Sequence, residues 1–317
     1  MSWSRLDSIT LRQLRAFCTV ARLLSYTRAA EELGCQQPTV SALVAELERA
    51  TQFTLLEQWG KQLSLTDEGR ELYAHAQQVI VAADEARLAM EELRGIIQAE
   101  RLPLCIAADT TVGTYVLPRL LSAFHRREPG IALNLRVANR AGVRASLLEG
   151  EVDMVIAGRP PVIDGLIADP FLENLLMVVA APGHPLSKHT SIPLARLSDE
   201  TFLLREIGSG TRAAVEDLFE VSGLPMKVGM TLGHIEAIKQ AVAAGLGVSV
   251  FSEVAIRREV QSGRLVVLDV EQFPIQRRWY IARLAQRPLL SSAATFLAFL
   301  HDYKRGQDKS AEITSSP

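Results

Sequence analysis

Cysteine is scarce in this sequence, with three residues among 317, and none of them stands in a CxxC pair. An odd number of scattered cysteines excludes a disulfide framework and offers no zinc-ligand spacing, so we expect reduced thiols. No run of about 18 apolar residues is present, which argues against a membrane-spanning helix. The N-terminal stretch also lacks the apolar core of a signal peptide. These absences predict a cytoplasmic protein.

An excess of positive charge is also absent. The formal net charge is −2, and residues 1–65 hold seven Lys or Arg against six Asp or Glu, a net of +1. A nucleic-acid-binding function must therefore rest on motif geometry rather than on bulk charge. The sequence has no Walker lysine, GxGxxG loop, metal cluster or nucleophile–base spacing, so we expect no cofactor and no metal. An enzyme remains only a distant alternative.

A helix-turn-helix pattern occupies residues 25–48, SYTRAAEELGCQQPTVSALVAELE. Gly34 fits the left-handed residue that ends one helix, and Pro38 fits the first turn of the next. That second helix has a buried apolar stripe but opens with amides and hydroxyls, which can read base edges in the major groove. A plain helical hairpin with a polar end is the alternative. The predicted DNA-contacting residues are Arg12, Arg15, Arg28, Gln36, Gln37, Pro38, Thr39, Ser41 and Lys61.

Two short extended segments follow in the stretch TLLEQWGKQLSLT, on either side of Gly60. They resemble the wing that accompanies some helix-turn-helix motifs. Trp59 lies in this wing, and we expect its ring to cover the core rather than to contact a sugar.

A long helix is predicted from Thr66, with Asp67 and Glu68 at its positive end. Its apolar positions alternate in steps of four and three over about three heptads, which is typical of a coiled-coil seam. We expect this seam to join two copies of the chain, because no neighbouring core is evident; packing on its own domain is the alternative. The predicted dimerisation residues are Leu72, Ala76, Val79, Ala83, Ala86, Met90, Leu93 and Ile97.

The rest of the chain alternates short apolar strands, such as LPLCIAA and VDMVIAG, with amphipathic helices. This alternation predicts an α/β fold with largely parallel sheets. The segment 158–165 is interpreted as a crossover out of a first lobe, with a return near Gly247–Ser252. The predicted divisions are a winged helix-turn-helix domain (1–65), a linker helix (66–99) and an effector domain (100–317) with lobe I (100–162 and 268–305) and lobe II (163–267).

A cleft between two such lobes is predicted to hold a small anion. The stretch FLLREIGSGTR places a glycine-flanked loop at a helix start, where free N–H groups and the helix dipole favour negative charge. Thr110 and Thr111 end the first strand of this region, where sheets of this type bind ligands. The predicted effector-binding residues are Thr110, Thr111, Arg159, Arg205, Gly208, Ser209, Gly210, Thr211, Arg212 and His234.

The segment from about Leu11 to Tyr73 resembles the LysR-type transcriptional regulators, with LRQL, TRAA, QPTVS, LE and LTxxG in the family's order and spacing. The resemblance implies a winged helix-turn-helix, a long dimerisation helix and a two-lobed α/β effector domain similar to periplasmic binding proteins. This sequence departs from the family after Ser41 of the second helix, where Ala42, Leu43 and Ala45 are apolar. Fewer phosphate contacts would lower non-specific affinity and the salt dependence of binding.

The C-terminal two thirds is similar to the CbbR-type subgroup, which controls carbon-fixation operons. The shared phrases are GRPP, FLLRExGSGTR, EAIKQAVxAGLG, RLxVLDV and FPIxRxWY. Thr114 stands where the subgroup usually has lysine, and His234-Ile235 stands where it usually has Ser-Asn. Both departures fall near the expected effector site, so they put the identity of the signal in doubt.

The resemblance also implies the partners. We expect double-stranded promoter DNA, a second copy of the chain with assembly to a homotetramer, and RNA polymerase if the protein is an activator. The expected ligand is a small-molecule effector, either a phosphorylated metabolite or a carboxylate. The alternative within this family is a regulator that senses an unrelated carboxylate or aromatic acid.

Overall fold

The computed structural model describes residues 8–60, 62–93, 103–160, 162–287 and 289–314. The chain divides into two compact units, the first formed mainly by residues 1–98 and the second mainly by residues 99–317. The helices among the described residues are too short or too polar to cross a membrane.

The first unit is a helical domain with a two-stranded wing. Its elements are α1 (Leu11–Leu23), α2 (Tyr26–Glu32), α3 (Gln37–Thr51), β1 (Leu56–Trp59), β2 (Gln62–Leu65) and α4 (Asp67–Leu93). Side-chain caps explain where the first two helices begin, since Thr10 caps α1 in a capping box with Gln13 and Ser25 caps α2. Gly34 has φ of +62° in the turn between α2 and α3, as the sequence predicted.

Three helices bury one apolar core in this domain. Phe17 and Val20 of α1 pack with Ala29 of α2 and with Val40 and Leu47 of α3, all fully buried. The small alanines of α2 let the helices approach closely. This packing fixes the orientation of α3 and leaves its other face outside the core.

The first turns of helix α4 pack against the core of the N-terminal domain. Ala76 is 1% exposed in that core and Leu72 packs against it, so the expectation that no neighbouring core exists is wrong for these two positions. Further along, Val79 and Met90 are 48% and 51% exposed, and Ala86 is exposed beside the half-buried Ala83. The side chain of Leu93 and the whole of Ile97 lie outside the described residues.

The wing is an antiparallel pair of strands in which Leu56 faces Leu65 and Trp59 faces Gln62. Lys61, at the tip, lies outside the described residues. The expectation that Trp59 covers the core is wrong, because its side chain is 75% exposed. Alternation along β1 explains this, because Leu56 points into the core and Trp59, three residues further on, lies on the opposite face of the strand.

The second unit is the α/β part of the chain. Its strands are β3 (Leu104–Asp109), β4 (Leu133–Ala138), β5 (Met154–Ala157), β6 (Leu166–Ala180), β7 (Thr201–Arg205), β8 (Lys227–Leu232), β9 (Ser249–Ser252), β10 (Val266–Val267) and β11 (Ile275–Leu284). Its helices are α5 (Thr110–Tyr115), α6 (Leu117–Arg127), α7 (Arg140–Leu148), α8 (Gly210–Val221), α9 (Ile235–Ala243), α10 (Glu253–Gln261) and α11 (Ser291–Thr314).

The sheets are mixed rather than largely parallel. Strand β3 pairs in parallel with β4 and β5, whereas β11 pairs antiparallel with both β5 and β6. Strand β6 also pairs antiparallel with β9 and β10, and β7 pairs in parallel with β8. The expectation of largely parallel sheets is wrong for β6 and β11, because their apolar runs are compatible with either orientation.

Two long strands, β6 and β11, pass through both lobes. The first half of β6 contributes Phe171 to the lobe I core around Phe124, and its second half contributes Val178 to the lobe II core around Phe202. The predicted boundaries of lobe II, at residues 163 and 267, are therefore both wrong. Residues Ile163, Leu166 and Ala168 pack with lobe I, whereas Leu268, Val270 and Ile275 pack with lobe II.

The predicted return near Gly247–Ser252 is wrong for the same reason. Residues Ser249–Ser252 form β9, which pairs with the second half of β6 and stays within lobe II. The chain instead returns to lobe I through β11, where Trp279 and Ile281 join the lobe I core. Both crossings are thus strands of one sheet, and side chains on them can face the cleft.

Candidate functional site

The first turn of α3 is a polar surface held out by the core beneath it. Gln36, Gln37, Pro38 and Ser41 are exposed, while Val40 between them is fully buried. Gln36 is the N-cap residue, yet its side chain makes no capping bond. The side chains of Gln36 and Gln37 are therefore exposed at this turn, and their contact with DNA stays a prediction.

The predicted phosphate-contacting cations differ in their surroundings. Arg12 is exposed, and Arg28 is exposed but donates to the Leu23 carbonyl oxygen. Arg15 donates to Asp84 of α4, with Nη2 and Oδ1 2.5 Å apart. This ion pair ties α1 to α4 and gives Arg15 a structural partner. The sequence could not indicate it, since the two residues are far apart along the chain.

A cleft in the second unit gathers residues from both lobes. It is lined by Asp109, Thr110, Thr111, Asn139, Arg140, Gly158, Asn174, Arg205, Glu206, Gly208, Ser209, Gly210, Thr211, Arg277 and Trp279. Most of these follow the carboxyl ends of strands β3, β4, β5 and β7, which is where open α/β sheets bind ligands. Of the predicted effector residues, Thr110, Thr111, Arg205 and the loop 208–211 are brought together here.

The loop before α8 presents backbone N–H groups to this cleft. Gly208 has φ of +94°, a conformation that suits glycine and turns the chain into the helix. The Ser209 hydroxyl accepts from the Arg212 N–H and caps α8. In the described part of the chain, the N–H groups of Gly208, Gly210 and Thr211 have no hydrogen-bond acceptor. Together with the helix dipole they make residues 208–211 suited to an anion, and this turn is called the anion-binding turn below.

Arg205 lies beside this turn and is 8% exposed. It forms a two-pronged ion pair with Glu206, with Nε and Nη2 each 2.7 Å from a carboxylate oxygen. Burial would raise the pKa of Glu206, but the hydrogen bonds from Arg205 outweigh it, so the pKa lies below its ordinary value. The pair is therefore charged, and Glu206 neutralises the guanidinium of Arg205.

Three predicted effector residues do not line this cleft. Arg212 donates to the Arg205 carbonyl oxygen at 3.0 Å and to Glu216 at 2.7 Å, so it fastens α8 to β7. His234 is the exposed N-cap residue of α9, and Arg159 lines a neighbouring pocket. The sequence placed them near the site, but it did not give the direction of their side chains.

Several residues of the cleft were missed from the sequence. Asp109 ends β3, and Asn139 and Gly158 follow β4 and β5, so the strand-end rule that found Thr110 could also have found them. Asn174, Arg277 and Trp279 lie on the crossing strands β6 and β11. No sequence signal marked these three residues, because the crossings between lobes were predicted at residues 158–165 and near Gly247–Ser252.

Asp109 and Arg277 both line the cleft and influence each other electrostatically. Burial raises the pKa of Asp109, although the Gly158 N–H donates to its Oδ2 at 2.7 Å and Arg277 lies near. Burial lowers the pKa of Arg277, and the positive charges of Arg140 and Arg159 act in the same direction. Arg277 also donates to the Gly210 carbonyl oxygen, which links β11 to the start of α8.

The cleft is suited to bind an anion rather than to hold a metal. Its lining carries three arginines, Arg140, Arg205 and Arg277, against the carboxylates of Asp109 and Glu206. The N–H groups at the start of α8 add further positive potential. Among the described residues, His, Cys, Asp and Glu side chains form no group of three or more that could hold a metal ion.

Two protein-family models match the chain. The model described as "Bacterial regulatory helix-turn-helix protein, lysR family" matches residues 11–70. The model described as "LysR substrate binding domain" matches residues 98–305. The two matches follow the division into two units and cover both candidate sites.

Characterised relatives are similar over nearly the whole chain. The RuBisCO operon transcriptional regulator of Allochromatium vinosum is 43% identical over 92% of this chain and 95% of its own length. The transcriptional activator CmpR of Synechocystis is 39% identical over 94% of this chain and 97% of its own length. The regulatory domain of Synechocystis CcmR, solved in complex with 2-PG (2-phosphoglycolate), is 41% identical, with a TM-score of 0.62 over 64% of this chain and 97% of that one.

Proposed function

We propose, from the premise that the chain belongs to the LysR family of transcriptional regulators, that it controls carbon-fixation genes in response to a small phosphorylated anion. The family match confirms the resemblance and the fold class predicted from the sequence, and the relatives agree with the CbbR-type subgroup. The observation that carries the ligand proposal is the anion-binding turn of α8 beside Arg205 in the cleft.

The proposed DNA-reading surface is the first turn of α3. Gln37, Thr39 and Ser41 offer amide and hydroxyl groups to base edges, and Pro38 offers an apolar contact for a thymine methyl. The exposed Arg12 is the proposed phosphate contact. We leave Arg15 out of the interface, because Asp84 already holds its guanidinium.

The proposed effector is a compact phosphorylated metabolite of the size of 2-phosphoglycolate. A phosphate would accept from the N–H groups of Gly208, Gly210 and Thr211, and Arg205 and Arg277 would balance its charge. The CcmR regulatory domain supports this ligand class, since it is 41% identical to this chain and was solved with 2-PG. Thr110 and Thr111 would contact the other end of the ligand from lobe I.

We also propose assembly and mode of action from the family. A dimer would form through the exposed positions of α4, Val79, Ala83, Ala86 and Met90, and would pair into a tetramer on promoter DNA. Binding of the anion would change the geometry of the tetramer, DNA bending and contact with RNA polymerase. The protein would act in the cytoplasm and would catalyse no reaction, in keeping with relatives named as regulators.

DNA selection followed by footprinting tests this function. The full-length protein would first select sites from a pool of random double-stranded DNA. DNase I footprints on a selected site would then be compared with and without 2-phosphoglycolate. We expect a footprint that changes length or periodicity with the ligand. Arg205→Ala should keep the ligand-free footprint and lose the change.

Each part of the proposal can fail separately in this experiment. If no sequence is enriched, α3 does not read DNA as proposed. If a site is enriched but 2-phosphoglycolate leaves the footprint unchanged while calorimetry detects its binding, the link between ligand and DNA is wrong. If no binding is detected either, the ligand class is wrong.

A further inference from the structure

A hydrogen bond outside the cleft joins α5 of lobe I to α9 of lobe II. The Tyr115 hydroxyl, at the end of α5, donates to Oε1 of Glu236 in the first turn of α9, over 2.7 Å. Lys239 of α9 contacts both groups, because its Nζ lies 2.7 Å from the same Glu236 oxygen and 5.4 Å from the centre of the Tyr115 ring. These three residues are called the interlobe contact below, and none of them lines the cleft.

Both sides of the interlobe contact are fixed within their own lobe. Lys239 is 3% exposed and also donates to Glu259 of α10, 2.7 Å away. Leu117, two residues after Tyr115, is fully buried in the lobe I core. The Tyr115 side chain itself packs against the lobe II core that contains Ile238. The lobes therefore cannot move apart at this point without breaking the hydrogen bond and exposing more of the ring.

The two helices of the interlobe contact begin at the edges that border the cleft. Thr110 and Thr111 line the cleft and begin α5, the short helix that Tyr115 ends. Strands β7 and β8 are parallel, so the anion-binding turn after β7 and the start of α9 after β8 lie at one edge of lobe II. A wider cleft would therefore separate Tyr115 from Glu236.

The cleft is narrow while this contact is formed. Its free volume is about 40 Å³, which holds about three water molecules, whereas 2-phosphoglycolate has about nine non-hydrogen atoms. A neighbouring pocket of about 430 Å³ shares Gly210 and Arg277 with the cleft, but not Gly208 or Thr211. A phosphate ester bound at the anion-binding turn therefore needs a wider cleft than the one that the interlobe contact holds.

We propose that the interlobe contact lowers the affinity of the cleft for its effector, because it holds the two lobes at a spacing too small for the ligand. This inference rests on the proposed function, in which a phosphorylated anion binds at the start of α8. The measured affinity of a ligand falls with the fraction of molecules that can accept it. Tyr115 is then a positioning residue outside the cleft, and removal of its hydroxyl strengthens binding.

The variant Tyr115→Phe tests this inference, with Tyr303→Phe as the matched control. Phenylalanine keeps the ring and its packing. The substitution also changes no charge near pH 7, because burial raises the pKa of Tyr115 to about 12. Tyr303 of α11 packs against Phe171 within lobe I, so its variant leaves the interlobe contact intact. Calorimetry on the full-length proteins measures the dissociation constant of 2-phosphoglycolate, and thermal unfolding without ligand measures stability.

We expect Tyr115→Phe to bind 2-phosphoglycolate about fivefold more tightly than wild type, which is the shift expected when one hydrogen bond is removed from the ligand-free state. Its melting temperature without ligand should be lower, since the same bond stabilises the folded protein. Tyr303→Phe should bind within about twofold of wild type. A variant that merely loosens the fold would lose both stability and affinity, so opposite signs of the two effects identify the proposed role.

Other results would overturn the inference. Weaker or unchanged binding by Tyr115→Phe would show that the interlobe contact does not oppose the ligand. An equal gain of affinity in Tyr303→Phe would show that the effect is not specific to this contact. If 2-phosphoglycolate binds Tyr115→Phe but neither of the other two proteins, the inference is supported. If it binds none of the three, the proposed ligand class fails, and the inference fails with it.

Discussion

The starts of α3 and α8 are two solutions to the same local problem, an open helix N-terminus in a polar turn. At α3 the N-cap Gln36 makes no side-chain cap, and the exposed side chains of the first turn carry the chemistry. At α8 the Ser209 side chain caps the helix, and the groups open to a ligand are backbone N–H groups without an acceptor. Variable side chains suit the reading of varied base edges, whereas backbone N–H groups suit a ligand recognised mainly by charge.

The largest expected effect comes from comparing two arginine variants, at Arg205 and at Arg212, near the start of α8. Arg205→Ala should weaken 2-phosphoglycolate binding by about a hundredfold or more, because truncating a buried charge partner costs ~2–5 kcal/mol and leaves Glu206 to repel the ligand. Arg212→Ala should change the binding constant less than about threefold, yet lower the melting temperature, because the Arg205 carbonyl loses a donor. Equal losses of affinity in both variants would contradict the assignment of only Arg205 to the cleft.

A proline substitution at Thr211 would make the first turn of α8 resemble that of α3. Pro38 is the second residue of α3, and Thr211 holds the same position in α8. Proline is tolerated in a first helical turn but lacks the N–H, so Thr211→Pro should preserve folding and weaken phosphate binding by about tenfold. Circular dichroism and calorimetry would measure the two effects. Unchanged affinity would show that this N–H does not face the ligand.

The reciprocal test removes a side chain from the α3 start. Gln37→Ala should reduce discrimination between a selected site and random DNA by ~1–3 kcal/mol, because a bidentate amide–adenine contact is lost. The dependence of binding on salt should stay the same, since no phosphate contact is removed. Fluorescence anisotropy at several salt concentrations measures both quantities. An equal loss on selected and random DNA would mean that Gln37 does not read bases.

The smallest expected effect concerns acid stability at the α8 start. The pKa of Glu206 in the folded protein lies below its ordinary value of 4.5, so its stabilising contribution is present above that pH. The contribution is lost as the pH falls through the lowered pKa, since the carboxylate must then be protonated. The melting temperature of wild type should therefore exceed that of Glu206→Gln near pH 7, and the gap should narrow below pH 4.5. If the difference in melting temperature does not change with pH, the ion pair of Glu206 with Arg205 is not the cause of that difference.

The helix-turn-helix was predictable because its signals are local. Gly34, Pro38 and the apolar positions of α3 specify a turn, a helix start and a buried stripe through backbone preferences and helical periodicity alone. The exposure of the first turn of α3 follows from that stripe. The role of Ala76 was not predictable, because the same apolar spacing on α4 suits a partner helix or the domain's own core.

The cleft was predictable only in part. The loop 208–211 and the residues after β3 could be found, since glycine turns and strand ends mark ligand sites in α/β proteins. The contributions of Asn174 and Arg277 could not, because β6 and β11 had to be recognised as the strands that cross between lobes. A crossing strand and a strand within one lobe share the same apolar pattern, so only their pairing distinguishes them.

The sequence by itself determined the order of the helices and most strands, the polar first turn of α3, and the glycine turn that opens α8. These depend on preferences and periodicities that act over a few residues. Only the tertiary structure decided which arginine of FLLREIGSGTR faces the cleft, which glutamate neutralises it, and that Asp84 holds Arg15. Those contacts depend on the direction of side chains after strands and helices have packed, and residue spacing carries no record of that direction.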